Sequence, residues 1–244
     1  MTDARTRATR SLFDGWASTY DDTVRESFGQ MSCITFDDYL ARVAEALAPA
    51  PGARLLEVAV GTAALAITMV RRWASSVHVV GVDANPHMLD RARNNVAMAG
   101  LNSSISLREA DAADLPFADA FFDGVITSNA LHHMDVGAVL TSMARVLRPG
   151  GRLVVGDFLE PPRWRSLLGR LVVPPFRFSM RFSSDPARRA DGGYATILPW
   201  ERWEEMLADR GFAVEHHVDF PAEGSPQWEP VPFIVAARRT GAAG

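Results

Sequence analysis

Lysine is missing altogether from these 244 residues, and all 25 basic side chains are arginine. We read that chiefly as a compositional bias of the source genome, although arginine also suits bidentate binding of carboxylates and phosphates. Cysteine occurs once, at Cys33, which excludes an intrachain disulfide and any zinc or iron–sulfur site built from several cysteines. No apolar run reaches the length of a transmembrane helix. Residues 1–10 are polar and lack the apolar centre of a signal peptide, so a cytoplasmic location is expected. A large excess of one charge is lacking too. The formal net charge of −4 gives no reason to expect nucleic acid as a partner. Internal repeats and low-complexity tracts are absent.

What is present is ordinary for a soluble globular chain: 48% hydrophobic and 22% charged residues, in a length suited to one α/β domain. After the polar residues 1–10, Phe36, Tyr39, Leu40, Val43, Ala44 and Leu47 recur with the spacing of one helical face. Pro49-Ala50-Pro51-Gly52 stops that helix. Strands and helices then alternate for about a hundred residues. Strands are predicted near 53–58, 77–82, 105–109, 122–127 and 152–158, with helices near 62–73, 86–99 and 136–147 between them. Arg148-Pro149-Gly150-Gly151 reads as a stop and turn before the fifth strand. Such alternation predicts a doubly wound, Rossmann-like, seven-stranded and mostly parallel sheet with helices on both faces.

The rhythm breaks at 159–198, which carries five prolines and seven arginines. Trp164, Leu167, Leu168, Leu171 and Val172 share one helical face there. The pattern resumes with a helix over 200–210, a strand over 212–220 and a last strand at 233–237, expected to enter antiparallel. The predicted organisation is a single domain, 1–244: N-terminal helices over 1–50, a core over 51–158, a helical lid over 159–198 and a closing helix with two strands over 199–244.

In an open parallel sheet, ligands bind beyond the carboxyl ends of the strands. Strand 1 ends in Glu57 and a turn of small residues, where backbone can come close to a ligand. Strand 2 ends in Asp83, 22 positions beyond Gly61, a spacing suited to an acid that accepts ribose hydroxyls. Asp111-Ala112-Ala113-Asp114-Leu115-Pro116-Phe117 follows strand 3, and Ser128-Asn129-Ala130-Leu131-His132-His133 follows strand 4.

Taken together, these stretches resemble the class I S-adenosylmethionine-dependent methyltransferases. The resemblance runs over 53–158 and rests on Leu56-Glu57-Val58-Ala59-Val60-Gly61-Thr62-Ala63, on Val82-Asp83-Ala84-Asn85-Pro86-His87-Met88-Leu89, on the Asp111 loop and on Val146-Leu147-Arg148-Pro149-Gly150-Gly151-Arg152-Leu153. Trp16-Ala17-Ser18-Thr19-Tyr20-Asp21 extends it. Within the class, the chain is most similar to the branch of ubiquinone and menaquinone C-methyltransferases and many natural-product methyltransferases.

The resemblance implies S-adenosylmethionine as cofactor and a role for each matching residue. Glu57 would order the first turn and meet the cofactor's amino group, while Ala59, Gly61 and Thr62 pass beneath it. Asp83 would bind both ribose hydroxyls, with Ala84 and Met88 beside the adenine. Asp111 would take the adenine amino group and Ala112 would lend its backbone. Asn129 would face the methionine portion, and Tyr20 would close over the site. The sequence departs from the family's Gly-x-Gly-x-Gly turn, with Ala59 and Ala63 flanking Gly61.

For the chemistry, His133 and His132 are the first candidates for a general base and Asp157, at the end of strand 5, is the next. Alternatively, these residues pack or cap. Adjacent histidines with no accompanying ligand cluster imply no metal site. The expected reaction is methyl transfer to a carbon or oxygen of an apolar or aromatic small molecule, a quinone precursor or a natural product. The alternative is a non-methylating reaction on the same fold, such as cyclisation, rearrangement or decarboxylation. A nicotinamide dehydrogenase is disfavoured because Gly-x-Gly-x-x-Gly is absent. The aromatics Trp164, Phe176, Phe178, Phe182 and Tyr194 suggest a hydrophobic or aromatic acceptor, or else pack the lid onto the sheet, whereas the amphipathic segment 163–173 reads as lid core or, as the minor reading, as contact with a membrane surface. Either a monomer or a homodimer is compatible with the sequence.

Overall fold

The computed structural model describes residues 20–73, 76–180, 196–222, 224 and 228–241. Seven strands form one sheet in the order β3-β2-β1-β4-β5-β7-β6. They are β1 (Ala53–Val58), β2 (Val77–Asp83), β3 (Ile105–Glu109), β4 (Phe122–Ser128), β5 (Leu147–Leu159), β6 (Phe212–Asp219) and β7 (Val231–Arg239). β1 to β5 pair in parallel, and β7 runs antiparallel to both of its neighbours, β5 and β6. Strand order reverses between β1 and β4, so the crevice for a ligand opens beyond Val58 and Ser128.

The helices are α1 (Tyr20–Met31), α2 (Phe36–Leu47), α3 (Ala64–Trp73), α4 (Pro86–Met98), α5 (Val136–Val146), α6 (Leu167–Met180) and α7 (Trp200–Ala208). Their starts follow from local chemistry. Thr35 caps α2 by accepting from the Asp38 N–H, and Asn85 caps α4 with Pro86 in the first turn. The stripe predicted on α2 is inward: Tyr39, Leu40, Val43, Ala44 and Leu47 are all buried. Helices α2, α3 and α4 cover one face of the sheet, and α5 and α7 cover the other. With both faces covered, the central strands read as continuous apolar runs.

Two of the boundaries that differ from the sequence reading have a local cause. Helix α3 starts at Ala64 rather than at 62, because Gly61 and Ala63 still hold positive φ in the turn. Strand β5 starts at Leu147 rather than at 152. Leu147 pairs with Phe122, and an irregularity in register absorbs the Pro149–Gly150 step, where Gly150 takes a φ of 75°. Gly156 in β5 has a packing reason to be glycine. A Cβ there would lie 2.6 Å from the Tyr39 hydroxyl, which donates to the Phe233 carbonyl at 2.9 Å.

Candidate active site

The turn after β1 is built from backbone that side chains rarely adopt. Ala59, Gly61 and Ala63 have φ of 57°, 53° and 67°. The two alanines therefore keep the conformation that glycine would adopt without cost, at a strain of about 1–2 kcal/mol each. Ala63 is fully buried, whereas Ala59 is half-buried. Ala59→Gly is accordingly expected to stabilise the protein by about 1 kcal/mol, net of glycine's greater freedom in the unfolded chain. That raises the melting midpoint by about 2–4 °C in differential scanning fluorimetry; a lower midpoint would show that the turn is not strained at this position.

Asp83 holds this turn in place. Its Oδ2 accepts from the Gly61 N–H at 2.9 Å and its Oδ1 from the Asn85 N–H at 2.8 Å. Ala84 beside it is half-buried, and Met88 lies buried one turn into α4. The Thr62 hydroxyl donates to Asp21 Oδ1 at 2.6 Å, and the Thr62 carbonyl accepts from Asn95 at 3.0 Å. Asp21 also pairs with Arg91 at 3.6 Å. Thr62 thus fastens α1 across the turn. Asp21 is not among the predicted site residues, although it closes the Trp16–Asp21 stretch that extends the resemblance. Tyr20 itself opens α1, but its side chain falls outside the described part of the structure.

Glu57 is buried, and burial, reinforced by the nearby Asp83 carboxylate, raises its pKa well above the usual carboxylate range. A backbone hydrogen bond at Ala66, in the first turn of α3, works in the opposite direction. Glu57 Oε2 and Asn129 Oδ1 are buried acceptors with no hydrogen-bond partner among the described residues. Asn129 sits at the end of β4 with a φ of 51° and donates its N–H to the Gly156 carbonyl. Glu57 and Ile126 are in register across β1 and β4, so both acceptors lie at the strand-order reversal. Two unsatisfied acceptors at the ends of adjacent strands suit a ligand that brings N–H donors and positive charge, as S-adenosylmethionine does. On this test the residues fit the cofactor.

The loop after β3 behaves more modestly. Asp111 is exposed, and its Oδ1 accepts from the Ala113 N–H at 2.9 Å, while Ala112 is buried. No group of three or more metal-ligating side chains occurs among the described residues.

The predicted catalytic residues converge. His132 and His133 form a short 3₁₀ turn after β4, and both are buried. Asp157 reaches His132 from β5: its Oδ1 lies 2.5 Å from His132 Nδ1, and its Oδ2 accepts from the His132 N–H at 3.2 Å. The two histidine rings are 4.0 Å apart between centroids, and Phe158 stands edge-on to His132 at 5.4 Å. Tyr39 closes the far side. Burial, with the Asp157 carboxylate adding to it, pushes its phenol well above the usual range. A carboxylate on Nδ1 selects the tautomer that presents Nε2 as the acceptor, the arrangement a general base needs.

Comparison with known proteins gives the family. A methyltransferase-domain family model matches residues 55–151. The chain is 44% identical over 185 residues to a demethylmenaquinone methyltransferase of Deinococcus radiodurans, covering 72% of this chain and 74% of that one. It is 30% identical over 225 residues to a 27-O-demethylrifamycin SV methyltransferase of Amycolatopsis mediterranei, covering 88% and 77%. Among solved structures, the [4+2]-cyclase SpnF shares the fold, with a TM-score of 0.65 and 20% identity over 84% of this chain and 80% of that one. With a cradle that fits the cofactor and relatives spanning most of its length, the chain belongs to the class I S-adenosylmethionine-dependent methyltransferases, near the ubiquinone/menaquinone C-methyltransferase branch.

Proposed function

We propose that this enzyme methylates a carbon or oxygen of an apolar or aromatic small molecule, a quinone precursor or a natural product, with His132 as general base and Asp157 as its orienting partner. The observation that carries the reading is the buried His132–Asp157 pair on the same edge of the sheet as the Glu57 and Asn129 acceptors. The relatives named above, one a demethylmenaquinone and one a demethylrifamycin methyltransferase by name, support this class of acceptor.

S-adenosylmethionine, when bound, supplies an already activated methyl carbon. The protein's own residues have to align the acceptor, exclude water and take up the proton that the acceptor loses. In this reading Asp83 holds the ribose, Glu57 and Asn129 hold the polar end of the methionine portion, and His132 Nε2 receives the acceptor's proton. His133, stacked beside it, is the second residue placed to do so.

The test is incubation with methyl-labelled S-adenosylmethionine and reduced demethylmenaquinone-type acceptors. Label in the isolated product, matched by S-adenosylhomocysteine, is the expected result. A product formed without label would overturn methyl transfer in favour of a cyclisation or rearrangement, chemistry the same fold also carries in the cyclase.

Glu57 adds a pH signature. Its raised pKa means that the folded, ligand-free protein holds a proton that the unfolded chain has released. Through this group, stability therefore falls as pH rises from the ordinary carboxylate range towards the raised value. A cationic amino group placed against Glu57 favours the carboxylate, so cofactor binding at a pH between the ordinary carboxylate range and the raised value is expected to release a proton. Calorimetry in buffers of different ionisation enthalpy reads that release. Glu57→Gln should abolish it and weaken binding while leaving the free protein at least as stable at neutral pH. Proton release that persists in Glu57→Gln would assign it to another group.

A further inference from the structure

The apolar face of α6 does not pack the lid onto the sheet. Leu167, Leu168, Leu171 and Val172, which the sequence groups together, are exposed, and this corrects the lid-core expectation. Of the aromatics expected to meet an acceptor, Trp164 donates its indole N–H to the Trp228 carbonyl at 2.7 Å, and Phe178 is exposed. The side chains of Phe176, Phe182 and Tyr194 lie outside the described part of the structure. A direct tie to the candidate site comes from the chain's return to the sheet, over 196–198.

Leu159, the last residue of β5, and Leu198 form a parallel bridge, and the Glu160 N–H donates to the Leu198 carbonyl at 2.9 Å. Leu198 is half-buried and packs against the core that holds Leu131, Trp203 and Phe233. Two residues earlier, the Thr196 N–H donates to the His132 carbonyl at 2.5 Å. Asp157 holds the same residue twice, at the ring Nδ1 and at the backbone N–H. His132 is thus held from β5 and from the returning chain at once.

The turn that carries the ring gains from such support. Leu131–His133 is a 3₁₀ helix of three residues, and Ala130 before it supplies no side-chain cap. Its own bonds run from the His133 N–H to the Ala130 carbonyl at 3.0 Å and from the Met134 N–H to the Leu131 carbonyl at 2.9 Å. A single turn of this kind has poorer hydrogen-bond geometry than an α-helix. Asp157 sets the tautomer, and the bond on the carbonyl restrains the peptide from a second direction. A general base works only within hydrogen-bond reach of the proton it takes, and a misplacement of about 1 Å costs about a hundredfold in rate.

We infer that Thr196 is a positioning residue: its backbone N–H holds the His132 turn in the setting in which Nε2 takes the acceptor's proton. The inference rests on the reading of His132 as the general base. Any residue other than proline supplies that N–H, so no side-chain motif marks position 196 in the sequence.

Thr196→Pro deletes the N–H, and Thr196→Ala is the conservative variant that keeps it. With methyl-labelled S-adenosylmethionine and reduced demethylmenaquinone, Thr196→Pro is expected to lower kcat by about tenfold or more while the cofactor Kd holds. Thr196→Ala should turn over near the parent rate. The loss in Thr196→Pro should shrink as pH rises towards about 10, where a phenolic hydroxyl ionises without a base; a merely structural defect would persist at every pH. An acceptor-free readout is the ring resonances of His132, assigned by their absence in His132→Ala. They should shift or broaden in Thr196→Pro and stay in place in Thr196→Ala. Where Thr196→Pro fails to fold, Glu160→Pro takes its place, since it frees the Leu198 carbonyl and leaves Thr196 intact, and it should lower kcat relative to Glu160→Gln. Unmoved ring resonances in a folded Thr196→Pro overturn the inference. So do a parent rate in the proline variant, a loss that does not change with pH, or an equal loss in Thr196→Ala. If His132→Ala is impaired, any of these results leaves the base reading standing; a parent rate in His132→Ala overturns both.

Discussion

Asp83→Ala is expected to weaken S-adenosylmethionine binding by about a hundredfold or more, and also to destabilise the fold. The Asp83 oxygens accept the backbone N–H groups of Gly61 and Asn85, and a carboxylate oxygen can accept more than one donor. Two ribose hydroxyls on a carboxylate form charge-assisted hydrogen bonds of about 1.5–3 kcal/mol each. Their combined loss corresponds to about two decades of affinity or more. Removing the carboxylate also frees the Gly61 and Asn85 donors, at a cost of about 1–3 kcal/mol of stability. Calorimetric titration and thermal unfolding measure the two effects separately. Unaltered affinity in a folded Asp83→Ala protein would remove Asp83 from the cofactor site. The sequence alone assigns this residue to the ligand; its hold on the turn emerges only in the structure.

Removal of the proposed base is the other large effect. His132→Ala should lower turnover by about 10²–10⁴-fold, the usual contribution of a positioned proton acceptor. Cofactor affinity should stay near the parent value, because His132 is tied to Asp157 on β5. Asp157→Asn should reproduce much of the loss, since an amide in its place no longer selects the Nδ1-protonated tautomer. If His132→Ala turns over at the parent rate while His133→Ala does not, the base is His133. If neither matters, the pair is structural and the acceptor reacts without help.

The cradle was legible because its parts are local. Strand, small-residue turn and helix follow one another within 53–73, and Asp83 ends the next strand at a spacing set by one β–α–β unit. The positive φ at Ala59 and Ala63 could be anticipated from where they stand in the motif but not from their identity, since alanine is a poor choice for that backbone. The Asp21–Thr62 bond could not be anticipated: it spans 41 residues and depends on how α1 lies across the turn. Tyr39 likewise gave only a core signal. Its place over Gly156 and its bond to the Phe233 carbonyl, 194 residues away, come from the packing of α2 on β5 and β7.

By itself the sequence determined the order of elements, the parallel sheet and the residues at the strand ends. Hydrophobic period, capping residues and turn residues act over a few positions and need no distant partner. The tertiary structure decided which histidine meets Asp157, because that choice turns on how the 3₁₀ turn after β4 presents its rings to the neighbouring strand. It also decided the rotation of α6. A helical pattern shows that one face is apolar, but only the seat of Gly169 on the carbonyls of Arg163 and Trp164 turns that face outward.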